Sequence, residues 1–598
     1  MPFWFWNDRL DAEELVRQIA DFQDHGVCGF VIHPRIGLPS EVTWMGDAYL
    51  YFCRVAIEEA AKRNMKVMLY DEGMYPSGSS AGQVAAADPS YQARCLDCRP
   101  LGRNETMELG EDENLWALAT RPDGTRYLIF DRKAASYIRG LHYLDHGREE
   151  VHLAADLLNP AAVAKYIELV YRTYCRHFGA YFGKTILGIF TDEPSPLARC
   201  TEENVYPGSR SLLPRIGEIL GYDFRPHLLS LWFEDDPAFA QYRRDYRYAV
   251  SVLLNERYYR PLRDFCETHG TALTGHPAEP DNTGALKYFH IPGQDAVWRW
   301  ILPDDHSALE GPQSTQAKCS ASVMVHTRRR RNLNEFCGAY GSEMTWEEMD
   351  WLSKWLLIRG VNLLVPHAFY YSVRGQRVNE RPPQVGPHAP WWEHYRSHAN
   401  FCRRVCWLNT DSRQLVNVAV LGRSDELPWQ AARVLYENQV DFNYLDGETL
   451  EQETAVDGSG IAAAGLQYTA AIVDQQVPIP ESRALQALAQ YGRLFSYRGR
   501  ADDSRLVQWL EGYGRPWTIL EGGSAGLRVR SVEKHGHTWH MLFNEATSRG
   551  TAELKRPISA LSVYDPAADC WSALDNRRLD LQGRQFLILV QVSPAREG

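Results

Sequence analysis

The 598-residue chain has no apolar run approaching the roughly 18 residues that a membrane span needs. A membrane partner is therefore not expected. There is no surplus of positive charge either. The formal net charge is -12, which argues against nucleic acid and anionic lipid as partners. The one basic run, "RRRR" at 328–331, reads as a solvated rim that an acidic sugar or another subunit could still meet. A cysteine framework is missing: twelve cysteines are scattered, and Cys95 and Cys98 form a lone C-x-x-C without a second pair at zinc-site spacing. Cys402 and Cys406 fall four apart on an expected helix. Reduced thiols point to a reducing compartment. The opening "MPFWFWN" lacks a basic stretch followed by an apolar core, so no secretory signal is read and the cytoplasm is the expected location. No strand is followed by a Gly-rich phosphate loop.

What is present is the composition of a soluble globular protein, 44% hydrophobic and 23% charged. The length is too great for one ordinary core and predicts two to four domains. Tryptophan, tyrosine and phenylalanine number 18, 31 and 21. That supply suits large cores, and it also suits a site that stacks aromatic faces on sugar rings.

The first 400 or so residues alternate short apolar runs with amphipathic segments. The strand candidates are "PFWFWN", "VCGFVIHPR", "MKVMLYDEG", "TILGIFTDEP", "TALTGHPAEP", "YFHIPGQDAV", "NLNEFCGAYG" and "VNLLVPHAFYYS". Helices separate them. The helix before the last strand has Thr345 as N-cap, Glu348 completing a capping box and Gly360 at its end. Near-continuous apolar strands separated by helices mean a parallel sheet, and eight of them predict a closed (β/α)8 TIM barrel. The alternation pauses over about 90–158, which reads as a β-rich insertion with an Asp-Gly hairpin in "RPDGTRYLIF". The predicted domains are a barrel at 1–407, a small flavodoxin-like α/β domain at 408–520 and a C-terminal β-sandwich at 521–598.

In such a barrel the active site lies at the C-terminal ends of the strands. The polar residues there are Trp6 and Asn7 on the first strand, His33 and Arg35 on the second, and Tyr70, Asp71 and Glu72 on the third. Asp192 and Glu193 end the fourth, His276 and Glu279 the fifth, and Gln294 and Asp295 the sixth. Glu335 ends the seventh, and His367, Tyr370 and Tyr371 the eighth. A single strand-end acid often only caps a helix or pairs with an arginine. Asp71 and Glu72 could likewise cap the Gly-rich turn that follows them, and His276 and His367 could be buried, hydrogen-bonded histidines. A whole ring of carboxylates, imidazoles and aromatics, with no Ser-His-Asp arrangement beside it, suits glycosidic bond cleavage. There one carboxylic acid protonates the leaving oxygen while a second carboxylate attacks or activates water, about 5 to 5.5 Å away for retention and about 6.5 to 9.5 Å for inversion. Trp6, Asn7, His33, Arg35, Asp71, Glu72, Asp192, His276, Glu279, Gln294, His367 and Tyr370 are the candidates for holding the sugar. Period-two alternation predicts that Asp192 and Glu193 point in different directions.

This layout resembles the clan of (β/α)8 glycoside hydrolases whose acid/base glutamate ends strand four and whose nucleophile ends strand seven. The resemblance implies Glu193 as acid/base and Glu335 as nucleophile, with no metal and no cofactor. The order of barrel, α/β domain and β-domain resembles family 42 β-galactosidases and family 164 β-mannosidases, which implies a homo-oligomer, a trimer by preference. The phrases "FWFWND", "LYDEGMYPSGSSAGQV", "FTDEPS" and "RGVNLLVPHAFYYS" are similar to family 106 α-L-rhamnosidases and their relatives. That family inverts and uses calcium. The clan has Asn before the acid Glu, where this chain has Asp192, so Asp192 needs another role: a sugar hydroxyl, or keeping Glu193 protonated by like-charge repulsion. Only Cys95 and Cys98 echo the structural zinc of family 42. The expected activity is an exo-acting, retaining glycoside hydrolase. An inverting calcium-dependent α-L-rhamnosidase and a non-catalytic carbohydrate-binding barrel are the alternatives.

Overall fold

Eight short runs, apolar on both faces, form the parallel strands that the alternation predicts. They are β1 (Phe3–Trp6), β2 (Gly29–Pro34), β3 (Lys66–Tyr70), β4 (Ile186–Asp192), β5 (Ala272–His276), β6 (Ile291–Val297), β7 (Leu333–Gly338) and β8 (Leu363–Pro366). The computed structural model describes residues 1–102, 107–142, 151–209, 212–513, 520–521, 523–555, 561–574 and 577–592. The strand order is β8-β7-β6-β5-β4-β3-β2-β1, and the two-residue segment Phe369–Tyr370 that follows β8 lies beside β1. The sheet therefore returns to its own start, which is the (β/α)8 barrel.

The chain divides into two compact units, one of residues 5–17 and 31–278, the other of residues 1–4, 18–30 and 279–598. In the first unit β3, β4 and β5 pair in parallel, with Tyr70 beside Phe190 and Asp192 beside His276. Gly275 has a φ of +110°, and a β-carbon there would lie 1.9 Å from the Thr191 carbonyl oxygen, so only glycine lets β5 approach β4 this closely. The β-rich insertion belongs to this unit. Arg94–Leu101, Arg126–Lys133 and Asn114–Thr120 form an antiparallel sheet, and the predicted hairpin turns at Gly124, whose φ is +87°. A second small sheet pairs Ser136–Arg139 with Val151–Leu153. Both sheets take one more two-residue strand from beyond β4, Tyr206–Pro207 in the first and Arg199–Cys200 in the second. The insertion's sheets thus reach past residue 158.

In the other unit β6, β7 and β8 pair in parallel, with Asp295, Glu335 and Val365 in one row. The helix Trp346–Ile358 between β7 and β8 begins with the predicted capping box: Thr345 Oγ1 accepts from the Glu348 N–H, and the Glu348 carboxylate accepts from the Thr345 N–H. Beyond the barrel, β9 (Val418–Gly422), β10 (Asn443–Asp446), β11 (Ala470–Asp474) and β12 (Leu494–Tyr497) form a parallel sheet in the order β10-β9-β11-β12. This is the flavodoxin-like part, and Ala419, Leu421, Leu445, Ala471 and Val473 fill its core. It also carries a small antiparallel sheet over 455–468 that the apolar pattern does not announce. The C-terminal strands make a six-stranded and a three-stranded sheet. Leu527, Val529, Leu542 and Leu589 of one pack with Leu520, Ala552, Leu554 and Leu579 of the other, which is a β-sandwich core.

Candidate active site

In β1 the tryptophans and phenylalanines take opposite faces. Trp4 packs on Phe22, and Trp6 lies edge-on to Tyr49 of the helix Asp47–Lys62. Phe5 instead meets His33, and the Arg35 guanidinium lies 4.4 Å over the Phe5 ring. Trp6 therefore belongs to the strand–helix layer. Its expected place against the sugar is not where the fold puts it, because alternation alone does not say which pair faces inward. Asn7, just past β1, is fully buried.

His33 donates from Nδ1 to the Pro34 carbonyl at 2.6 Å and stacks on Tyr70 at 3.9 Å between centroids. The Tyr70 hydroxyl donates to Asp192. His276, beside Asp192 in register, brings its Nε2 to 3.4 Å from the Asp192 carboxylate. Its Nδ1 faces the Pro277 carbonyl at 3.2 Å. Tyr70 is thus a site residue that the candidate set left out, although its place at the end of β3 marked it.

β4 stops at Asp192, and Glu193 turns left-handed with a φ of +44°. That conformation is uncommon for a residue with a side chain. It breaks the strand's alternation. Asp192, Glu193 and His276 consequently offer ligand or proton-transfer atoms that all lie within 4.8 Å of one another. The expected divergence of the two carboxylates does not occur.

Asp71 and Glu72 are spent on the protein itself. Asp71 accepts from Ser77 Oγ at 2.6 Å and from the Tyr171 hydroxyl at 2.8 Å. Ser77 Oγ in turn accepts the Asp192 N–H at 2.8 Å, so Asp71 anchors the end of β4 from below. Burial pushes Asp71 up to about 7, with the Ser77 and Tyr171 hydrogen bonds pulling the other way. Glu72 accepts the backbone N–H groups of Gly73, Gly78, Ser79, Ser80 and Ala81. Burial pushes Glu72 up to about 7 as well, against those donors. The loop-cap role therefore replaces the expected sugar contacts of Asp71 and Glu72. The insertion contributes as well, which no motif in it signals. Burial and Glu193 raise the Tyr75 hydroxyl, while Arg35, Arg139 and Arg199 lower it, which places charged groups from three segments around one phenol.

In the other unit the Glu335 carboxylate receives His367 Nδ1 at 2.5 Å, and both residues are buried. The His367 ring is edge-on to Phe3 at 5.0 Å. Gly338 makes room for the pair: a β-carbon there would come within 3.0 Å of His367 Nδ1 and 3.3 Å of Glu335 Oε1. Asp295 shares Glu335's row and hence its face, whereas Gln294 takes the other. Gln294 donates to the Glu279 carbonyl at 3.3 Å and reaches Cys319 of the helix Gln316–His326. Asp295, not Gln294, is thus the β6 side chain next to Glu335. Glu279 is exposed and adds its charge to that of the buried Asp281. The Tyr370 hydroxyl donates to the Pro382 carbonyl at 2.6 Å, which ties down the loop after β8.

The Asp192–Glu193–His276 group sets two carboxylates beside one imidazole. Calcium takes six to eight oxygen donors, and an imidazole nitrogen among three candidates suits a softer divalent ion instead. The group does not fit calcium. At the lone C-x-x-C, Cys95 and Cys98 lie three apart on the strand Arg94–Leu101, so their side chains take opposite faces of it.

A barrel with acids and imidazoles at its strand ends, followed by an α/β domain and a β-sandwich, has the fold of a TIM-barrel glycoside hydrolase with appended domains. The structure of a rhamnosidase from Novosphingobium sp. PP1Y is similar over 100% of this chain and 83% of its own, at a TM-score of 0.66 and 12% identity. A β-galactosidase from Bacillus circulans sp. alkalophilus is similar over 99% of each chain, at 0.60 and 11%. An exo-carrageenase GH42 from Bacteroides ovatus matches over 99% of this chain and 82% of its own, at 0.56 and 11%. No protein-family model matches the sequence, and no curated protein matches it. Among the described residues no helix is long and apolar enough to cross a membrane.

Proposed function

We propose that the protein is an exo-acting glycoside hydrolase that retains configuration, with Glu193 as acid/base and Glu335 as nucleophile. The observation that carries the reading is the setting of Glu335. It is a buried carboxylate at the end of β7, aligned by His367 Nδ1 and given room by Gly338. A nucleophile needs that fixed orientation more than it needs solvent. In the reaction, the Glu335 oxygen attacks the anomeric carbon while Glu193 gives its proton to the leaving oxygen. Water then enters, Glu193 takes its proton, and the glycosyl–Glu335 ester is cleaved. Asp192, held by Tyr70 and close to His276, orients Glu193 or a sugar hydroxyl. His33 and Arg35, set against Phe5 and Tyr70, line the same end of the barrel and supply hydrogen bonds to hydroxyls.

The test is product stereochemistry by NMR on a panel of aryl glycosides, together with azide rescue. Glu335→Gly is expected to lose activity by on the order of 10³-fold or more and to regain it with azide as a glycosyl azide of inverted configuration. An inverted sugar product from the wild type, with no azide rescue, would replace this reading with the inverting one. No hydrolysis of any glycoside in the panel, with carbohydrate binding unchanged in Glu193→Gln and Glu335→Gln, would leave only a carbohydrate-binding barrel. We further propose a homotrimer, by the resemblance to family 42, a cytoplasmic location, on the scattered cysteines, and domain boundaries near residues 407 and 520, where the strand and helix rhythm changes. A monomer by light scattering would remove the trimer.

A further inference from the structure

Away from the strand ends, one group of side chains has the order of an activated nucleophile. On the helix Tyr395–Asn409, Cys402 Sγ lies 3.5 Å from His398 Nε2. On the other side of the ring, His398 Nδ1 lies 3.5 Å from the Asp350 carboxylate of the helix Trp346–Ile358. Asp350 is partly buried and also pairs with Lys354 at 2.5 Å. His398 is buried beneath the edges of Trp346 and Tyr395, whereas Cys402 is only partly buried. Sulfur, imidazole and carboxylate thus stand in line, with the sulfur at the accessible end. A structural cysteine needs none of this. A thiol packed for volume alone has no use for a buried imidazole set between it and a carboxylate.

We propose that Cys402 is a reactive nucleophile, assisted by the His398 imidazole with Asp350 on the far side of the ring, and that it is a site of modification by small electrophiles, hydrogen peroxide in particular. The site is separate from the glycosidase reading and does not depend on it. In the oxidative step the Cys402 thiol passes its proton to His398 Nε2 as the sulfur attacks one peroxide oxygen. The S–O bond forms and the O–O bond breaks. The departing hydroxide takes the Nε2 proton of His398 and leaves as water. Sulfur is oxidised by two electrons to the sulfenic acid and peroxide is reduced. Burial opposes the charge on His398, but Cys402 and Asp350 outweigh it and push the imidazole up to about 10. The other titratable and charged groups near this site are Lys354 on the Asp350 helix, Tyr395 and Cys406 on the same helix as Cys402, and Arg331, Cys28 and the Met1 nitrogen, which interact with Cys402 or Cys406. Arg403 and Arg404 are drawn away, to the Gly26 carbonyl and to Asp569.

The chain supplies its own controls. Cys28 and Cys570 are exposed, and Cys53 and Cys266 are buried. The full-length protein is treated with limiting iodoacetamide between pH 5.5 and 8.5, and each cysteine is quantified by peptide mass spectrometry. A parallel sample receives hydrogen peroxide with dimedone as the sulfenic acid trap. At pH 6 Cys402 is expected to alkylate at least about tenfold faster than Cys28 and Cys570, with a shallower rise with pH than theirs, and to carry the dimedone adduct. His398→Asn should slow Cys402 by about tenfold or more and restore the ordinary rise with pH, leaving Cys28 and Cys570 unchanged and Cys53 and Cys266 unlabelled. Asp350→Asn should give a smaller slowing. Alkylation of Cys402 no faster than Cys28 and Cys570, with the same pH slope, would overturn the proposal. So would an unchanged Cys402 rate in His398→Asn with the buried pair still protected.

Discussion

Gly338 is the residue on which the setting of Glu335 turns. A β-carbon there would meet the Val297 side chain at 2.5 Å as well as the His367 and Glu335 contacts, so the added methyl must displace one of the three. Gly338→Ala is expected to lower kcat by about 10²-fold, the cost of misplacing a reacting group by about 1 Å. Because the strand's own pairing is undisturbed, melting temperature should change little. Steady-state kinetics beside a thermal melt checks both parts, and an unchanged kcat would detach Glu335 from the chemistry. Tyr70→Phe removes the hydroxyl that holds Asp192 while keeping the ring stacked on His33. It should cost about tenfold in kcat, with little change in KM. Tyr70 is marked only by its place at the end of β3, and Gly338 not at all. A glycine at a strand's end carries no sign of what lies beside it once the strands are in register.

At the scale of the element, the third βα loop shows a carboxylate serving the backbone. Five N–H groups converge on Glu72, so Glu72→Gln replaces a charged acceptor with an amide whose nitrogen faces donors. Loss of roughly 2 kcal/mol of local stability follows, and faster amide hydrogen exchange at Ser79, Ser80 and Ala81 would report it. Asp71 adds a pH dependence. Its folded value, about 7, is raised above the ordinary 3.8, so the folded state holds a proton that the unfolded state has lost. The stabilising term is complete below about pH 4 and is lost as pH rises through 7. The wild type should therefore melt at a lower temperature at pH 8 than at pH 5, and Asp71→Asn should flatten that slope. Equal slopes in the two proteins would exclude Asp71 as the source. The barrel strands were legible in the sequence because burial on both faces leaves continuous apolar runs. The two-residue strands at 199–200 and 206–207 were not, since pairs that short show no periodicity. The left-handed turn at Glu193 was not legible either. Alternation ends where the strand ends, and the glutamate itself gives no sign of positive φ.

On the scale of the molecule, the parts of the 279–598 unit are joined by a polar centre that no hydrophobic pattern foretells. Glu545 of the sandwich accepts Arg359 Nη1 at 2.6 Å and forms an ion pair with Arg528, whose Nε lies 2.9 Å away, with all three side chains buried. Arg359 follows the barrel helix Trp346–Ile358, and its guanidinium lies 4.0 Å over Trp355 and 4.5 Å over Tyr436 of the α/β part. Trp351 of the same helix donates to the Glu545 carbonyl at 2.9 Å. Barrel, α/β sheet and sandwich thus meet on one carboxylate. Two buried cations on a single anion are stable only while that anion keeps its charge, because an unpaired buried guanidinium cannot shed its proton. Glu545→Gln, nearly the same in shape, should cost about 3–5 kcal/mol, whereas the same change at the exposed Glu533, paired with Arg413, should cost under about 1 kcal/mol. Urea unfolding followed by tryptophan fluorescence separates two outcomes. If the centre couples the three parts, Glu545→Gln moves one transition to lower urea. If it only braces the sandwich, the C-terminal strands unfold first and a second transition appears.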